Sequence, residues 1–441
     1  MLSIVNLART CLAKIISFLY VIVTTLTAGL PINPGELPQT PSDFEPVIRF
    51  AVCSDIHIGG NTEDEPEQER LKQLIDFMYD YCDSQSYTGF DALCVVGDMT
   101  DDGYDYQYDI FNNIIDENLN EGIELVICTG NHEYIATRDY DASISAEMFK
   151  TKMNRAEDNH IVINGYHFIS VSYSDDGKTF DSKLDWMDEE ISAAVADSGD
   201  KPVFVFQHPA PFATVYGSIS WGDFDIDKVL AKYPTVVDFS GHSHYPINDP
   251  RSMWQGSFTA LGCGTLSYFE TDLDGIASNF PYDNNQAAQF YIVECDKDGN
   301  TRILSYDLIT EQFFDNEYYL TGLADRNFPY SYARMKARDE APVWSEDTQI
   351  TTSVNENGET ILTFTGATDK YIVESYKVSV QQNGIPFTSD NFTSKYLYLF
   401  MDDVYDVNLG CLTSGKTYTV EITALNAYAE TSKALTYKFV A

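Results

Sequence analysis

The sequence predicts an α/β domain with a largely parallel sheet, followed by a smaller all-β domain. From about residue 48, short apolar segments rich in β-branched residues alternate with helical patterns, which is typical of strand–helix–strand units. After about residue 340, helical periodicity disappears and segments of alternating polar and apolar residues replace it. The chain has 441 residues, which is long enough for two domains.

The first 30 residues have the layout of a signal peptide. Arg9 and Lys14 precede the stretch IISFLYVIVTTLTAG, which ends in small residues. Its strongly apolar part covers about a dozen residues, whereas a membrane-spanning helix needs roughly 20. We therefore expect residues 1–30 to be a signal peptide, with an uncleaved membrane anchor as the alternative. The proline-rich residues 31–46 predict a flexible linker. This layout predicts an exported protein that is either secreted or tethered to the cell surface.

The α/β domain is expected to cover residues 47–335. Five strands of the buried type are predicted at 48–53, 91–96, 124–129, 202–206 and 235–240. Helices are predicted at 67–82 and 108–120, because apolar residues recur there at helical spacing. Two antiparallel hairpins are expected later in the domain, with turns at Asn164-Gly165 and Asp298-Gly299.

The all-β domain is expected to cover residues 340–441. Its alternating segments, separated by turns, suit a small β-sandwich. The stretch LTSGKTYTVEITALNA resembles the late-strand region of fibronectin type III domains. This resemblance implies that Leu412 and Tyr418 form a tyrosine corner. It leaves open whether the domain acts as a spacer or contacts a glycan or a cell-surface partner.

The chain is strongly acidic. It contains 68 Asp and Glu residues against 27 Lys and Arg residues, a formal net charge of −41. A surface of this sign repels phosphate backbones, so we expect no non-specific nucleic-acid binding.

Polar side chains follow each of the five predicted parallel strands. The residues in question are Asp55 and His57, then Asp98, then Asn131 and His132, then His208, and finally His242 and His244. In open α/β sheets the carboxyl ends of the strands form the ligand-binding edge. Each short motif alone is common and usually structural, but five in succession predict one shared site. Gly241, before the last pair, is expected to let the backbone turn tightly as it leaves its strand.

The residue types at this edge indicate a metal centre. Carboxylate, amide oxygen and imidazole without cysteine suit divalent ions such as Mn, Fe and Zn. A carboxylate that bridges two such ions gives the two-metal arrangement used for in-line displacement at phosphorus.

The motifs Asp-x-His, Gly-Asp, Gly-Asn-His-Glu, His and Gly-His-x-His, in this order, resemble those of the calcineurin-like metallophosphoesterases. The resemblance covers roughly residues 48 to 310. It implies a four-layer α-β-β-α sandwich and a phosphate-ester substrate. It further implies that Asp55, His57 and His244 hold one of two metal ions, that Asp98 bridges, and that Asn131, His208 and His242 complete the second site.

The same resemblance assigns His132 as the general acid and Asp101 as the carboxylate that pairs with it. A metal-bridging hydroxide would attack phosphorus, and a bell-shaped pH profile is expected. Purple acid phosphatases have a metal-binding tyrosine at the position of Asp101, and Ser/Thr protein phosphatases have an arginine at the position of Asp102. Because this chain has neither residue, the resemblance argues against both classes. The segment is most similar to the branch that contains phosphodiesterases.

The predicted reaction is therefore phosphate-ester hydrolysis, with phosphodiesters as the preferred substrates. A phosphomonoesterase acting on nucleotides or sugar phosphates is the alternative. A catalytically dead binding or adhesion module is the alternative from another class, and the full ligand set argues against it. Tyr216, Trp221 and Arg251 are candidates to line the substrate site. His160 and His167 are expected to be structural.

Overall fold

The computed structural model describes residues 33–60, 65–137, 141–273 and 275–441. The predicted signal peptide or anchor at 1–30 lies outside the described residues. In the described ranges no helix is both long and apolar enough to cross a membrane.

The chain divides into two compact units. The first extends to Glu270 and resumes over Tyr282–Arg334, and the second comprises Thr271–Pro281 together with Met335–Ala441. The chain therefore leaves the first unit for one short hairpin, returns to it, and leaves it again near residue 335. No pattern in the sequence indicates this excursion.

Strands dominate both units. In chain order they are β1 (Ile48–Cys53), β2 (Ala92–Val96), β3 (Glu124–Cys128), β4 (Asn159–Ile163), β5 (Tyr166–Ser170), β6 (Val203–Pro209), β7 (Val236–Gly241), β8 (Met253–Gln255), β9 (Thr259–Gly262), β10 (Thr271–Leu273), β11 (Ile276–Asn279), β12 (Gln289–Cys295), β13 (Thr301–Asp307), β14 (Gln312–Phe313), β15 (Tyr318–Leu320), β16 (Ile350–Val354), β17 (Thr360–Thr365), β18 (Val373–Gln382), β19 (Ile385–Thr393), β20 (Val404–Asn408), β21 (Thr417–Asn426) and β22 (Leu435–Val440).

Helices occur mainly in the first unit. They are α1 (Pro66–Asp83), α2 (Asp105–Asn118), α3 (Ser143–Met153), α4 (Leu184–Ser198), α5 (Ser218–Trp221), α6 (Asp227–Leu230) and α7 (Tyr332–Arg338). Two 3-10 helices, His132–Tyr134 and Pro250–Ser252, add single turns.

The first unit contains two mixed sheets. One has seven strands in the order β14-β13-β12-β1-β2-β3, with β15 paired to β13, and β1, β2 and β3 run parallel. The other has six strands in the order β4-β5-β6-β7-β9-β8, and β5, β6, β7 and β9 run parallel. The α/β character of this part of the chain is confirmed.

Aromatic rings fill the space between the two sheets. The Phe50 ring of β1 lies 4.9 Å from the Phe168 ring of β5 and 4.9 Å from the Phe204 ring of β6. On the first sheet's other side, α1 and α2 bury residues such as Leu74 and Phe111 against it. Helix α4 buries residues such as Ile191 in a separate cluster with β5 and β6. Both sheets are therefore covered on both faces, which suits their continuous apolar strands.

The predicted hairpins form, but their turns differ. Asn164 and Gly165 both have positive φ, at 50° and 79°, so this turn has the two left-handed residues of a two-residue hairpin. The second hairpin has a longer loop, because β12 ends at Cys295 and β13 begins at Thr301. In that loop Gly299, with φ 92°, is the left-handed residue.

The second unit is composed mainly of strands. Its larger sheets have the orders β16-β17-β20 and β19-β18-β21-β22, and all their pairings are antiparallel. Their shared core includes Phe364, Tyr376 and Val420. The hairpin β10–β11 contacts this unit at β19, where the Asn279 amide donates to Thr393 Oγ1 at 3.0 Å.

Candidate metal centre

The loops after the parallel strands of both sheets meet and bring the predicted ligands together. Among the described residues, three groups have ligand atoms within 4.8 Å of one another: Asp55, His57, Asp98 and His244; Asp98, His208 and His242; and His57, Asp101 and His132. Asp98 belongs to the first two groups, which contain the predicted metal ligands. Its carboxylate Oδ2 lies 3.0 Å from His208 Nε2 and 3.8 Å from His57 Nε2. The geometry is that of two adjacent cation sites with one common carboxylate.

Two buried polar atoms indicate that these residues fit metal ions. Asn131 Oδ1 is buried and has no hydrogen-bond partner, whereas the buried His208 Nε2 lies 3.0 Å from Asp98 Oδ2. Buried polar atoms normally have partners, so an unpaired amide oxygen and an imidazole nitrogen facing two carboxylates suggest cation ligands. Asn131 directly precedes His132, whose backbone N–H donates to Asp98 Oδ1 at 2.8 Å, so it lies at the edge of the centre.

Three histidines have their ring orientation set by an acceptor on the far nitrogen. His208 Nδ1 donates to the Val96 carbonyl at 2.8 Å, and His244 Nδ1 donates to the Tyr268 carbonyl at 2.9 Å. His57 Nδ1 lies 3.3 Å from Asp101 Oδ1. Each contact places the proton on Nδ1, and the Nε2 lone pair is then free to bind a metal ion.

Strained backbone conformations direct the ligands. Five predicted metal ligands have φ in the left-handed region, between 48° and 69°: Asp55, His57, Asp98, His242 and His244. Each such conformation costs about 1 kcal/mol or more for a residue with a Cβ, and it persists where the surrounding structure fixes it. This concentration marks the strand ends as a functional site, and sequence patterns give no sign of it.

Gly241 is required for a reason that differs from the one the sequence suggested. Its own φ is not positive; the left-handed residues are His242 and His244. A Cβ at Gly241 would lie 1.8 Å from Ser54 Oγ and 2.4 Å from Asp55 Oδ2. The residue is therefore glycine because the loop passes directly over the Asp55 carboxylate.

Glu133 holds the first-sheet loops in place. Its fully buried carboxylate accepts backbone hydrogen bonds from Asp98 at 3.0 Å, Thr100 at 2.9 Å and Gly130 at 2.6 Å. Burial and the neighbouring Asp98 raise the pKa of Glu133 above its ordinary value. The sequence analysis gave this residue no role; its position in the Gly-Asn-His-Glu motif was the available signal.

The electrostatics of the centre favour bound positive charge. Burial opposes ionisation of Asp55, but the His244 and His208 imidazoles hold the pKa of its carboxyl well below the ordinary range. Although burial lowers the pKa of His57, contacts with Asp101 and Asp55 raise it to about 10. A proton on His57 would balance the buried carboxylates when no metal ion is bound, and an ion on this ring would displace that proton.

His132 adjoins the bridging carboxylate. Its backbone N–H donates to Asp98 Oδ1 at 2.8 Å, and its ring lies 4.4 Å from the His57 ring. Its Nδ1 donates to the backbone carbonyl of Asp101 at 2.6 Å, whereas the Asp101 carboxylate is 3.7 Å away. The tautomer of His132 is therefore set by a backbone oxygen, and the Asp101 side chain lies nearer to His57.

The protonation of His132 is favoured by its neighbours. Burial lowers its pKa, but Asp101 and Asp98 outweigh burial and raise the pKa above the ordinary value. The side chain is 24% exposed, so the ring is accessible from solvent.

The three substrate-lining candidates are placed differently. The Trp221 ring lies 5.5 Å from the His242 ring, beside the second cation site. Tyr216 packs 4.4 Å from the buried Tyr245 ring, and the Arg251 guanidinium lies 3.6 Å from the Tyr216 ring centre. Arg251 also forms a two-point ion pair with the buried Asp249. These contacts favour a structural role for Arg251 over phosphate binding.

Tyr268 is a site residue that the sequence analysis missed. Its ring lies 4.2 Å from the His244 ring and 5.6 Å from the His57 ring, and its carbonyl orients His244. It lies in an irregular segment after β9, without periodicity to mark it. It forms one wall of the first cation site.

A comparison with protein families matches part of the first unit to one family. Residues 48–246 match the calcineurin-like phosphoesterase family. No curated protein matches the chain.

Among solved structures, the purple acid phosphatase PPD1 from yellow lupin (Lupinus luteus) seeds is 12% identical, with a TM-score of 0.44, over 65% of this chain and 55% of that one. This chain thus spans little more than half of the lupin enzyme. A structure of PhoD is 9% identical, with a TM-score of 0.35, over 65% of this chain and 70% of that one. These weak likenesses do not distinguish one activity from another.

Proposed function

We propose that this protein is a metal-dependent phosphoesterase that hydrolyses phosphate diesters, and the match of residues 48–246 to the calcineurin-like phosphoesterase family supports the proposal. The observation that carries the proposal is the pair of ligand groups that share Asp98. A common carboxylate sets two cations close enough to contact one phosphoryl group.

The ligand assignments follow from the two groups. Asp55, His57 and His244 would hold one ion and His208 and His242 the other, with Asp98 common to both and Asn131 added to the second. We propose Mn, Fe or Zn, since the donors are carboxylate, amide and imidazole. Bound ions would supply a deprotonated water and neutralise phosphoryl charge.

His132 is proposed to protonate the leaving oxygen. Its Nδ1 proton is committed to the Asp101 carbonyl, so the transferable proton is on Nε2. Asp98 Oδ1 accepts from the His132 backbone, which fixes this ring relative to the bridging carboxylate. Asp101 is proposed to stabilise the protonated ring, because its carboxylate lies within 3.7 Å of Nδ1.

The charge around His132 supports diesters over monoesters. The Asp101 carboxylate is 47% exposed beside this ring, and Asp102 follows it. A phosphate monoester carries close to two negative charges at pH 7, whereas a diester carries one. The half-exposed Asp101 carboxylate beside His132 therefore opposes binding of the monoester more strongly.

Finer features of the architecture are also proposed. The sheets and helices of the first unit support the four-layer sandwich of the family. In the second unit Tyr418 Oη accepts from the Thr413 backbone N–H at 3.0 Å, close to the start of β21. This contact supports a tyrosine corner and hence a fibronectin type III-like fold. The N-terminal sequence supports export, and the second unit is proposed as a spacer or a surface-binding domain.

The test compares bis-p-nitrophenyl phosphate and p-nitrophenyl phosphate with the Mn²⁺-loaded protein. We expect kcat/KM for the diester to exceed that for the monoester by about tenfold or more, which is about 1.4 kcal/mol of transition-state preference. Asp98→Asn should abolish hydrolysis of both, while Asp298→Asn, an exposed control carboxylate in the β12–β13 loop, should leave it unchanged.

The possible results separate the alternatives. Preference for the monoester contradicts the diester assignment and supports the phosphomonoesterase. No hydrolysis of either ester by the metal-loaded protein contradicts the enzyme and supports a binding module. If the negative charge of Asp101 and Asp102 causes the preference, the double variant Asp101→Asn/Asp102→Asn should have a smaller ratio of diester to monoester kcat/KM than the parent.

A further inference from the structure

The two histidines outside the metal centre touch each other. His160 lies on β4 and His167 on β5, in diagonal positions of the same hairpin, since His160 pairs with Ile169 and His167 with Val162. His160 Nε2 lies 2.8 Å from His167 Nδ1. Thus all seven histidines of this chain have a nearby imidazole, and two of the seven form a separate pair.

Each ring of the pair contacts a carboxylate through its other nitrogen. His160 Nδ1 lies 2.6 Å from Glu190 Oε2, and His167 Nε2 lies 3.2 Å from Asp197 Oδ2. Both acids are on α4, two helical turns apart, on the face that covers this hairpin. The four side chains form one line: carboxylate, imidazole, imidazole, carboxylate.

Counting protons along this line shows that it needs one positive charge between the two rings. An ionised carboxylate only accepts, so the outer nitrogen of each ring carries the proton. In neutral imidazoles both inner nitrogens then carry lone pairs, and these face each other at 2.8 Å. Two facing lone pairs repel unless a proton or a metal ion lies between them.

We infer that His160 and His167 form a second, separate binding site for a borderline divalent metal ion such as Zn²⁺. Imidazole nitrogens are preferred ligands of such ions, and a carboxylate on the far nitrogen is the usual support for a metal-binding histidine. The remaining coordination positions are filled by water or by a ligand from a partner. The inference does not depend on the proposed phosphodiesterase activity.

The spacing requires only a small adjustment. Two histidines on one tetrahedral Zn²⁺ hold their nitrogens about 3.3 Å apart, so the rings must separate by about half an ångström. In the metal centre the His57 and His244 Nε2 atoms lie 3.1 Å apart, and His57 likewise has a carboxylate on its other nitrogen. The His160–His167 pair therefore repeats an arrangement already present in this molecule.

The pair is remote from the metal centre and accessible from solvent. His167 pairs with Val203 at the start of β6, whereas the ligand His208 is five residues further along that strand, about 16 Å away. The His160 side chain is 17% exposed and Glu190 is 33% exposed. An ion can reach the pair without passing through the metal centre, so the two sites can be tested independently.

The experiment measures Zn²⁺ bound per chain by equilibrium dialysis of the metal-free protein at pH 7.5. His160→Asn and His167→Asn are made separately, because asparagine offers only a weak amide in place of the imidazole. We expect each variant to bind one Zn²⁺ fewer than the parent and to hydrolyse the nitrophenyl esters at the parent's rate. Unchanged hydrolysis shows that the variants are folded and that the centre is intact.

Two results decide the outcome. Loss of one ion in both variants, together with a smaller Zn²⁺-induced rise in melting temperature, supports the site. Equal Zn²⁺ stoichiometry in the parent and in either variant overturns it, and a shared proton then bridges the pair. If one variant loses hydrolysis, the other variant is used. Zn²⁺ should then raise the melting temperature of the parent by more than it raises that of the active variant, and equal rises overturn the site.

Discussion

Asp238 is a buried acid whose replacement should stabilise the protein. It lies in the middle of β7, is 0% exposed, and meets the Gln207 amide, with Nε2 3.2 Å from each carboxylate oxygen. Gln207 Oε1 is buried without a partner. Burial raises the pKa of Asp238 from its ordinary value of 3.8 to about 8. The folded protein thus keeps a proton that the unfolded chain releases near pH 4.

The difference in the pKa of Asp238 between the folded and unfolded states sets how stability depends on pH. Between about pH 4 and pH 8 the folded state binds one more proton than the unfolded state, so stability falls as pH rises. About three pH units, at about 1.4 kcal/mol each, give roughly 4 kcal/mol of lost stability at pH 7, as an order of magnitude. Asp238→Asn cannot ionise, and its amide can donate to Gln207 Oε1. We therefore expect it to stabilise the first unit by up to a few kcal/mol at pH 7.

The assay is urea unfolding in EDTA at pH 4.5, 6 and 8, followed by tryptophan fluorescence. Three of the four tryptophans lie in the first unit, so the signal reports its unfolding. The advantage of Asp238→Asn over the parent should be small at pH 4.5, grow with pH and level off near pH 8. A difference that is independent of pH, or a less stable variant at pH 8, would refute the reasoning.

Three further predictions concern the metal centre and the second unit. Gly241→Ala should lower metal affinity at least tenfold, measured by dialysis, because its Cβ would meet Asp55 Oδ2; Gly262→Ala, whose Cβ would meet no atom closer than 3.7 Å, is the control. His132→Gln should lower kcat about 100-fold or more for an alkyl leaving group and far less for p-nitrophenolate, and equal losses would contradict a general acid. Tyr418→Phe should lower the second unit's unfolding free energy by about 1 kcal/mol, since the Thr413 N–H loses its acceptor; an unchanged chemical denaturation midpoint would contradict this.

Local patterns predicted the elements that carry the ligands. The first strand was expected at 48–53 and β1 has those bounds, because a continuous apolar run between polar residues defines a buried strand. Helix α1 extends the predicted 67–82 by one residue at each end, beginning at Pro66, where proline is favoured in a first turn. The ligand residues follow from where these strands end.

Features that depend on tertiary contacts could not be predicted. The left-handed backbone at His242 and the close approach at Gly241 arise only when loops from two sheets meet. The His160–His167 contact needs the strand register and α4 together. The pairing of Asp101 with His132 was expected through the side chain, yet the backbone carbonyl makes the close contact.

The excursion of the chain at Thr271–Pro281 affects how the protein can be divided. Because this hairpin belongs with Met335–Ala441, the polypeptide passes between the units three times. Truncation at residue 335 would leave β10 and β11 behind without β19, and the Asn279 amide would lose Thr393. The second unit, expressed alone, would likewise lack a hairpin. No single peptide bond therefore separates the two units, so truncation or proteolysis at one position cannot release either unit intact.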